Sequence, residues 1–393
     1  MKKNLLLLLF STIISLILLY IILYIYTFLN IDKSISYKFS SLEILNLHKN
    51  YSSKIHHLRL DEKSIKKKIE PNEYLYSTIT SFKSGQKNIL FHGDSWSEQL
   101  TALEETDIRY LKARNFVKDF SEINNLGFIN AGITSYSPTL MKLQLEILEK
   151  DFDITPNIVI AYIDQTDIGD ENCRYKNNRI FKNNEVIAVK VESHSGKPFD
   201  YSKIYGESEI FLKEKSKIKK AFDLLNFRIK YKYKKNKNKN IKKFNRIFEY
   251  GFKNRKIKKC YWSDIKRHLI NSTDEEISYF KKTVDDYINY IEKNNNIEKL
   301  FIVTFPHKNH LPELLNVTGE PYKHNVSNII DNLVANRKKV FHLNFTKLIH
   351  EKDVSIKKKD YKKDDPGSHL NPSYYSNFFI KKIIDYVFNN LNT

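Results

Sequence analysis

Residues Asn4 to Leu29 carry no charged side chain and are mostly Leu, Ile, Phe and Tyr. As a helix rising about 1.5 Å per residue, the run reaches about 39 Å, more than the roughly 30 Å hydrocarbon core of a bilayer. A buried soluble helix is disfavoured at this length. A cleavable signal peptide has a shorter apolar stretch and an A-x-A-like cleavage site, and neither is visible. Tyr20, Tyr24 and Tyr26 fall where interfacial aromatics belong. The run reads as a single transmembrane anchor. Lys2, Lys3 and the free amino terminus favour a cytoplasmic N-terminus, and Lys33 and Lys38 after the span weaken that bias. The expectation is a single-pass membrane protein with its body on the periplasmic or extracellular side.

The body that follows is long enough for one large domain or two. The net charge of +20 is not spread along it. Lys213 to Lys259 holds twenty Lys and Arg against three acidic residues, so that segment alone accounts for +17. The rest is nearly balanced, which argues against a nucleic-acid binder; no nucleic-acid motif appears either. The chain is rich in Lys, Asn and Ile and poor in Ala and Gly, a bias that makes basic runs and N-x-S/T sequons common by chance. Asn271-Ser272-Thr273 and Asn316-Val317-Thr318 are discounted on that ground. Two cysteines, Cys173 and Cys260, exclude a disulfide framework and a CxxC zinc site. Either one disulfide between them or two free thiols is compatible with the sequence.

Residues 30 to 86 show no clear period and read as a stalk leading into the domain. Short apolar runs follow at 88–92, 127–131, 158–163, 300–305 and 340–345, each bounded by turn residues. Such runs suit strands buried on both faces. Helical spacing lies between them: Leu140, Leu143, Ile147 and Leu148; then Ile277, Phe280, Val284, Tyr287, Ile288 and Ile291; then Phe379, Ile383, Tyr386 and Val387. Ser272-Thr-Asp-Glu275 has the form of a capping box at the start of the second of these helices. Strands alternating with helices predict an α/β fold, a parallel sheet of about five strands covered on both faces. Residues 173 to 267 interrupt the alternation as an insertion, beginning with a hairpin over 179–189 that turns at Asn183-Asn184. Its basic part reads either as a contact for anionic lipid or an anionic polymer, or as a solvated, helical or partly disordered surface. The compositional bias tips the balance toward the second reading. The domain order is an anchor to residue 30, a stalk over 31–85, and an α/β domain over 86–393 that carries the insertion.

With only ten glycines in the chain, one placed directly after a buried strand suggests a steric reason. Three loops stand out. Gly93-Asp94-Ser95 follows the strand 88–92, at the carboxyl end where open α/β sheets bind ligands, and a helix starting there would point N–H groups at an oxyanion. Ser95 would equally serve as an ordinary helix cap. Asn130-Ala-Gly132 follows the second strand, where a Gly132 N–H can approach a bound oxygen closely. Asp364-Asp365-Pro366-Gly367-Ser368-His369 precedes the C-terminal helix, and an Asp near a His can orient the imidazole as general base to a serine.

Together these loops resemble the SGNH hydrolases, the GDSL esterase and lipase superfamily, over roughly 86–170 and 298–390. The resemblance implies a flavodoxin-like three-layer fold, a nucleophilic Ser95, a general base His369 and an aspartate partner, with Asp365 preferred over Asp364. It implies an oxyanion hole from the backbone N–H groups of Ser95 and Gly132 and from the residue at the third block. That block is usually Gly-x-Asn-Asp; here it is Asp164-Gln165-Thr166-Asp167, so Thr166 stands at the asparagine position and Gln165 is a possible substitute. Asp94 and Asp167 are possible supporting residues. The implied substrate is an ester, an acylated surface glycan or a related molecule, with no cofactor and no metal. Hydrolysis and acyl transfer remain equally open, as does the oligomeric state. A catalytically impaired glycan-binding or export protein is the alternative. The α/β-hydrolase elbow GxSxG is absent because residue 97 is Ser, and no P-loop or HExxH appears. His307 and His310 form an HxxH pair at a strand end, suited to lining a substrate site and short of further ligands for a metal.

Overall fold

A computed structural model describes residues 2–31, 39, 41–52, 54–55, 77–78, 86–101, 110–189, 201–239, 260, 262–269, 271–311, 325–365 and 367–391. The chain divides into two compact units. One comprises Met1–Ser53, Leu58–Tyr74 and Lys197–Lys256; the other comprises Lys54–His57, Leu75–Gly196 and Ile257–Thr393.

The larger unit is built on a sheet of β1 (Ser77–Thr78), β2 (Asn88–His92), β3 (Gly127–Asn130), β4 (Ile158–Tyr162), β7 (Lys299–Thr304) and β8 (Val340–Asn344), in the order β1-β3-β2-β4-β7-β8. Five strands are parallel, and the two-residue β1 pairs antiparallel with β3 at the edge. Counted along the chain, the five parallel strands take the flavodoxin order 2-1-3-4-5, whose crevice lies where the winding reverses, between β2 and β4. The five apolar runs are these strands, to within a residue at either end. Their side chains are buried on both faces because helices cover both. Ile89, Phe91, Ile160 and Tyr162 pack on one side with Ala113, Val117, Phe379, Ile383 and Val387, from the helices Leu111–Ile123 and Ile380–Asn389 and the wide turn Tyr375–Phe379 between them in space. The helices Pro138–Phe152 and Asp274–Lys293 pack against one another, and Tyr287 of the latter hydrogen-bonds His92 Nδ1 at 2.9 Å.

The helix Asp274–Lys293 starts one residue later than its sequence suggests. Thr273 is the cap: its hydroxyl accepts from the Glu276 N–H while the Glu276 carboxylate accepts from the Thr273 N–H. Ser272 donates instead to the His268 carbonyl at 3.2 Å. The hairpin of β5 (Arg179–Lys182) and β6 (Glu185–Val189) turns at Asn183 and Asn184, both with positive φ, as asparagine tolerates. Cys173 and Cys260 form a disulfide across 87 residues.

In the smaller unit the first helix, Lys2–Leu29, carries no charge beyond Lys3 and is exposed, apolar and long enough to cross a membrane over Leu6–Leu29. The expected featureless stalk contains a helix, Leu42–Ser52, and the insertion supplies two more, Tyr201–Lys213 and Lys217–Lys239. His48 Nδ1 and the Tyr205 hydroxyl meet at 2.7 Å, and Lys49 pairs with Glu209 at 2.7 Å. The end of the first helix packs against the basic helix: Ile31, Ala221 and Leu224 are buried together beside Tyr24 and Phe28. The basic residues 240–259 lie outside the described part.

Candidate active site

β2 ends at His92, and the chain must turn sharply into the four-residue helix Ser95–Glu98. Gly93 makes the turn at φ +143°, where a Cβ would also lie 2.3 Å from Ser97 Oγ and 3.0 Å from Tyr162 Cβ. Asp94 caps the helix, accepting from the Trp96 N–H at 2.9 Å. Ser95 thereby stands at the carboxyl end of β2, beside the reversal point of the sheet.

His369 comes from a tight loop before the C-terminal helix. A bridge between Tyr361 and Leu370 closes its base, with Lys362 N–H donating to the His369 carbonyl at 2.8 Å. His369 Nε2 lies 2.6 Å from Ser95 Oγ. His369 Nδ1 lies 2.6 Å from Asp365 Oδ2. A carboxylate only accepts, so Nδ1 carries the proton and Nε2 is left to accept from the serine hydroxyl. Burial alone would push the Asp365 carboxyl up, but the hydrogen bond to His369, the Gly367 N–H and Lys362 hold it below the usual carboxylate range. Asp364, the other candidate, is exposed with φ 56°. Asp365, four residues before His369 in this tight loop, is the aspartate that reaches the imidazole.

Gly132 and Thr166, expected as oxyanion donors, point elsewhere. The Gly132 N–H donates to Asn130 Oδ1 at 2.9 Å. The steric need for glycine there is also different: a Cβ would lie 2.3 Å from Ser97 Cβ and 2.6 Å from Glu98 N, so Gly132 lets the loop pack onto the Ser95 helix. Asn130 Nδ2 donates to Ser97 O at 2.8 Å across the same junction. The Thr166 hydroxyl and N–H both donate to Asp164 Oδ1, at 2.6 and 2.7 Å. Gln165 Oε1 accepts from the Val326 N–H at 3.0 Å.

Asp94, Asp164 and Asp167 are buried together at the strand ends, and burial followed by their mutual repulsion pushes the carboxyls of Asp94 and Asp167 well up. Asp164 is raised by burial against the opposing pull of Thr166 and the His369 charge.

Two supports escaped the sequence reading. Trp96 stacks on Tyr162 at 4.8 Å and donates from Nε1 to Gly367 O at 3.3 Å, joining the turn of Ser95 to the loop of His369. Lys308 donates from Nζ to Asp365 O and from its backbone to Ser368 Oγ at 3.2 Å. The available signals were a rare tryptophan directly after Ser95 and the position of Lys308 just past β7. His307 Nδ1 accepts from the Asn309 N–H at 3.2 Å, and His310 Nε2 lies 2.9 Å from Leu269 O. Both imidazoles are thus engaged with the backbone.

No protein-family model matches the chain, and neither does any curated protein. Among solved structures it is similar to a catalytic mutant of Axe2, an acetylxylan esterase from Geobacillus stearothermophilus, at a TM-score of 0.34 and 9% identity, over 78% of this chain and 94% of that one.

Proposed function

We propose that this chain is a membrane-anchored serine esterase or O-acyltransferase acting on acyl esters, acetyl in the first instance, of a surface glycan or a related molecule. The observation that carries the reading is the unbroken relay Asp365, His369, Ser95, with both links at 2.6 Å. Ser95 Oγ attacks the ester carbonyl while His369 Nε2 takes its proton. Asp365 steadies the imidazolium through Nδ1. The Ser95 N–H faces the tetrahedral oxyanion, and Gly132 and Thr166 join it by exchanging Asn130 and Asp164 for the substrate oxygen. His369 then protonates the leaving alcohol. Water releases the acid from the acyl-enzyme in hydrolysis; a sugar hydroxyl takes the acyl group in transfer.

The apolar first helix supports anchoring, with the N-terminus cytoplasmic. The Cys173–Cys260 disulfide supports a body outside the cytoplasm, because such bonds persist in oxidising compartments. The non-catalytic alternative, a glycan-binding or export protein, draws its support from the engagement of Gly132 and Thr166 within their own loops. A fluorophosphonate probe separates the two. Labelling that disappears in Ser95→Ala supports the enzyme. Folded protein that takes up no label supports the binding protein.

A further inference from the structure

The helix Lys217–Lys239 carries ten Lys and Arg and one acidic residue, Asp223. Its inner face is covered: Ala221 and Leu224 are buried with Ile31. A second stripe is not. Ile218, Phe222, Ile229 and Tyr233 are 63%, 46%, 46% and 70% exposed. At 3.6 residues per turn these four fall within about 60° of arc. The same wheel puts Lys217 and Lys232 on one flank of the stripe and Lys219 and Lys230 on the other, all exposed. An apolar stripe edged by lysines on both sides is the pattern of a helix lying in a membrane interface, its stems along the acyl boundary and its ammonium groups among the headgroups.

The place of this helix limits what can cover the stripe. Lys217 Nζ lies 5.2 Å from the centre of the Phe28 ring, the Tyr24 hydroxyl donates to Ile218 O at 3.5 Å, and the Tyr20 hydroxyl donates to Asn226 Oδ1 at 3.3 Å. The ring of Phe222, a member of the stripe, meets the ring of Tyr20 edge-on at 6.3 Å. The stripe is therefore continuous with the exposed apolar surface of the first helix. With that helix in a bilayer, lipid is the neighbour already in place.

We propose that Lys217–Lys239 is an interfacial helix seated on anionic lipid at the carboxyl end of the span, fixing the attitude of the chain at the membrane. This rests on the membrane reading given above. The test reconstitutes the full chain, and separately Ile229→Trp and Tyr233→Trp, into vesicles of phosphatidylcholine with or without phosphatidylglycerol. One acyl chain is brominated near its carbonyl end, and emission is compared with the parent, which contains Trp96 and Trp262. Vesicle flotation reports the span independently.

In the anionic vesicles the added tryptophan is expected to shift to shorter wavelength and lose about half of its emission to bromine; without phosphatidylglycerol, or in Lys230→Glu/Lys232→Glu/Lys234→Glu, quenching falls about threefold. Protein that floats while its added tryptophan is quenched by aqueous acrylamide and not by bromine overturns the proposal. Equal quenching in both vesicles also overturns it, because anionic lipid is then not the ligand. Protein that fails to float overturns the membrane reading, and this inference with it.

Discussion

His369 Nε2 reaches Ser95 Oγ at 2.6 Å although 274 residues separate the two in sequence. The two arrive from different elements, one from the turn after β2 and one from the loop before the last helix. Each is held by the other's neighbourhood, since Trp96, adjacent to the serine, hydrogen-bonds Gly367, two residues before the histidine.

If the relay works as one unit, its members fail together. His369→Ala and Ser95→Ala should each abolish ester turnover, and the double variant should be no worse than either single one. Asp365→Asn keeps the shape but offers Nδ1 an amide, and a loss of about ten-thousandfold in kcat is expected from the analogous change in other relays. Steady-state rates on an aryl acetate check this. Independent, additive losses would show that the three side chains do not share a step.

Gly132→Ala should disturb Ser95 without touching it. The added Cβ would meet Ser97 Cβ at 2.3 Å and two backbone atoms of residues 97 and 98 at 2.6 Å. Backbone has to move, at a cost of about 1–3 kcal/mol, and the backbone that moves carries Ser95. Thermal unfolding should come earlier, and kcat should fall more than KM rises. Unchanged activity and stability would mean that the loop and the helix Ser95–Glu98 separate without penalty.

The sheet was legible because continuous apolar runs of five or six residues have few structural outlets besides a doubly covered strand. The site was legible where chemistry forces the residue type: a glycine at φ +143° before Ser95, and an Asp close to a His. The packing role of Gly132 was not legible, because a glycine allowing close backbone packing and one offering its N–H to a ligand look alike in sequence. The engagement of Thr166 with its own loop was not legible either. Its hydroxyl has one proton, and Asp164, two residues earlier, sits in position to take it. The helix Leu42–Ser52 was missed because its partners, including Tyr205 and Glu209, lie about 160 residues away in the chain.

Cys173 and Cys260 close a loop of 87 residues. Loop-closure entropy assigns such a cross-link about 4–5 kcal/mol, with measured values commonly lower. Reduction, or Cys173→Ser/Cys260→Ser, should lower the denaturant midpoint of the larger unit, and the oxidised wild type should release no free thiol until unfolded and reduced. Two titratable thiols in the native protein purified from an oxidising compartment would refute the pairing.

Asp170 offers a test of electrostatics beneath the site. Burial pushes its carboxyl up to about 7 despite Arg174 at 3.2 Å, and the charges of Asp164 and Glu171 act in the same direction as burial. The native state therefore holds this proton more tightly than the unfolded chain, whose aspartates titrate near 4. Its contribution to stability is fully present below about pH 4 and is lost as pH rises through about 7, an amount of roughly 4 kcal/mol for a shift of this size. Glu276 acts in the opposite sense: burial raises its carboxyl, but Arg267, the Thr273 N–H and His268 together lower it to about 2. Stability from that group is present above about pH 4.5 and fades as pH falls toward 2. Between pH 4.5 and 7.5 the Asp170 contribution falls with rising pH, while His48 and His92, lowered by burial to about 3, act in the opposite sense up to about pH 6.5 in wild type and variant alike. The Tm of the wild type relative to Asp170→Asn should therefore decline as pH rises through this range, whatever the absolute Tm of the variant. Parallel Tm–pH curves for the two proteins would show that Asp170 is ionised throughout this range and that Arg174 outweighs its burial.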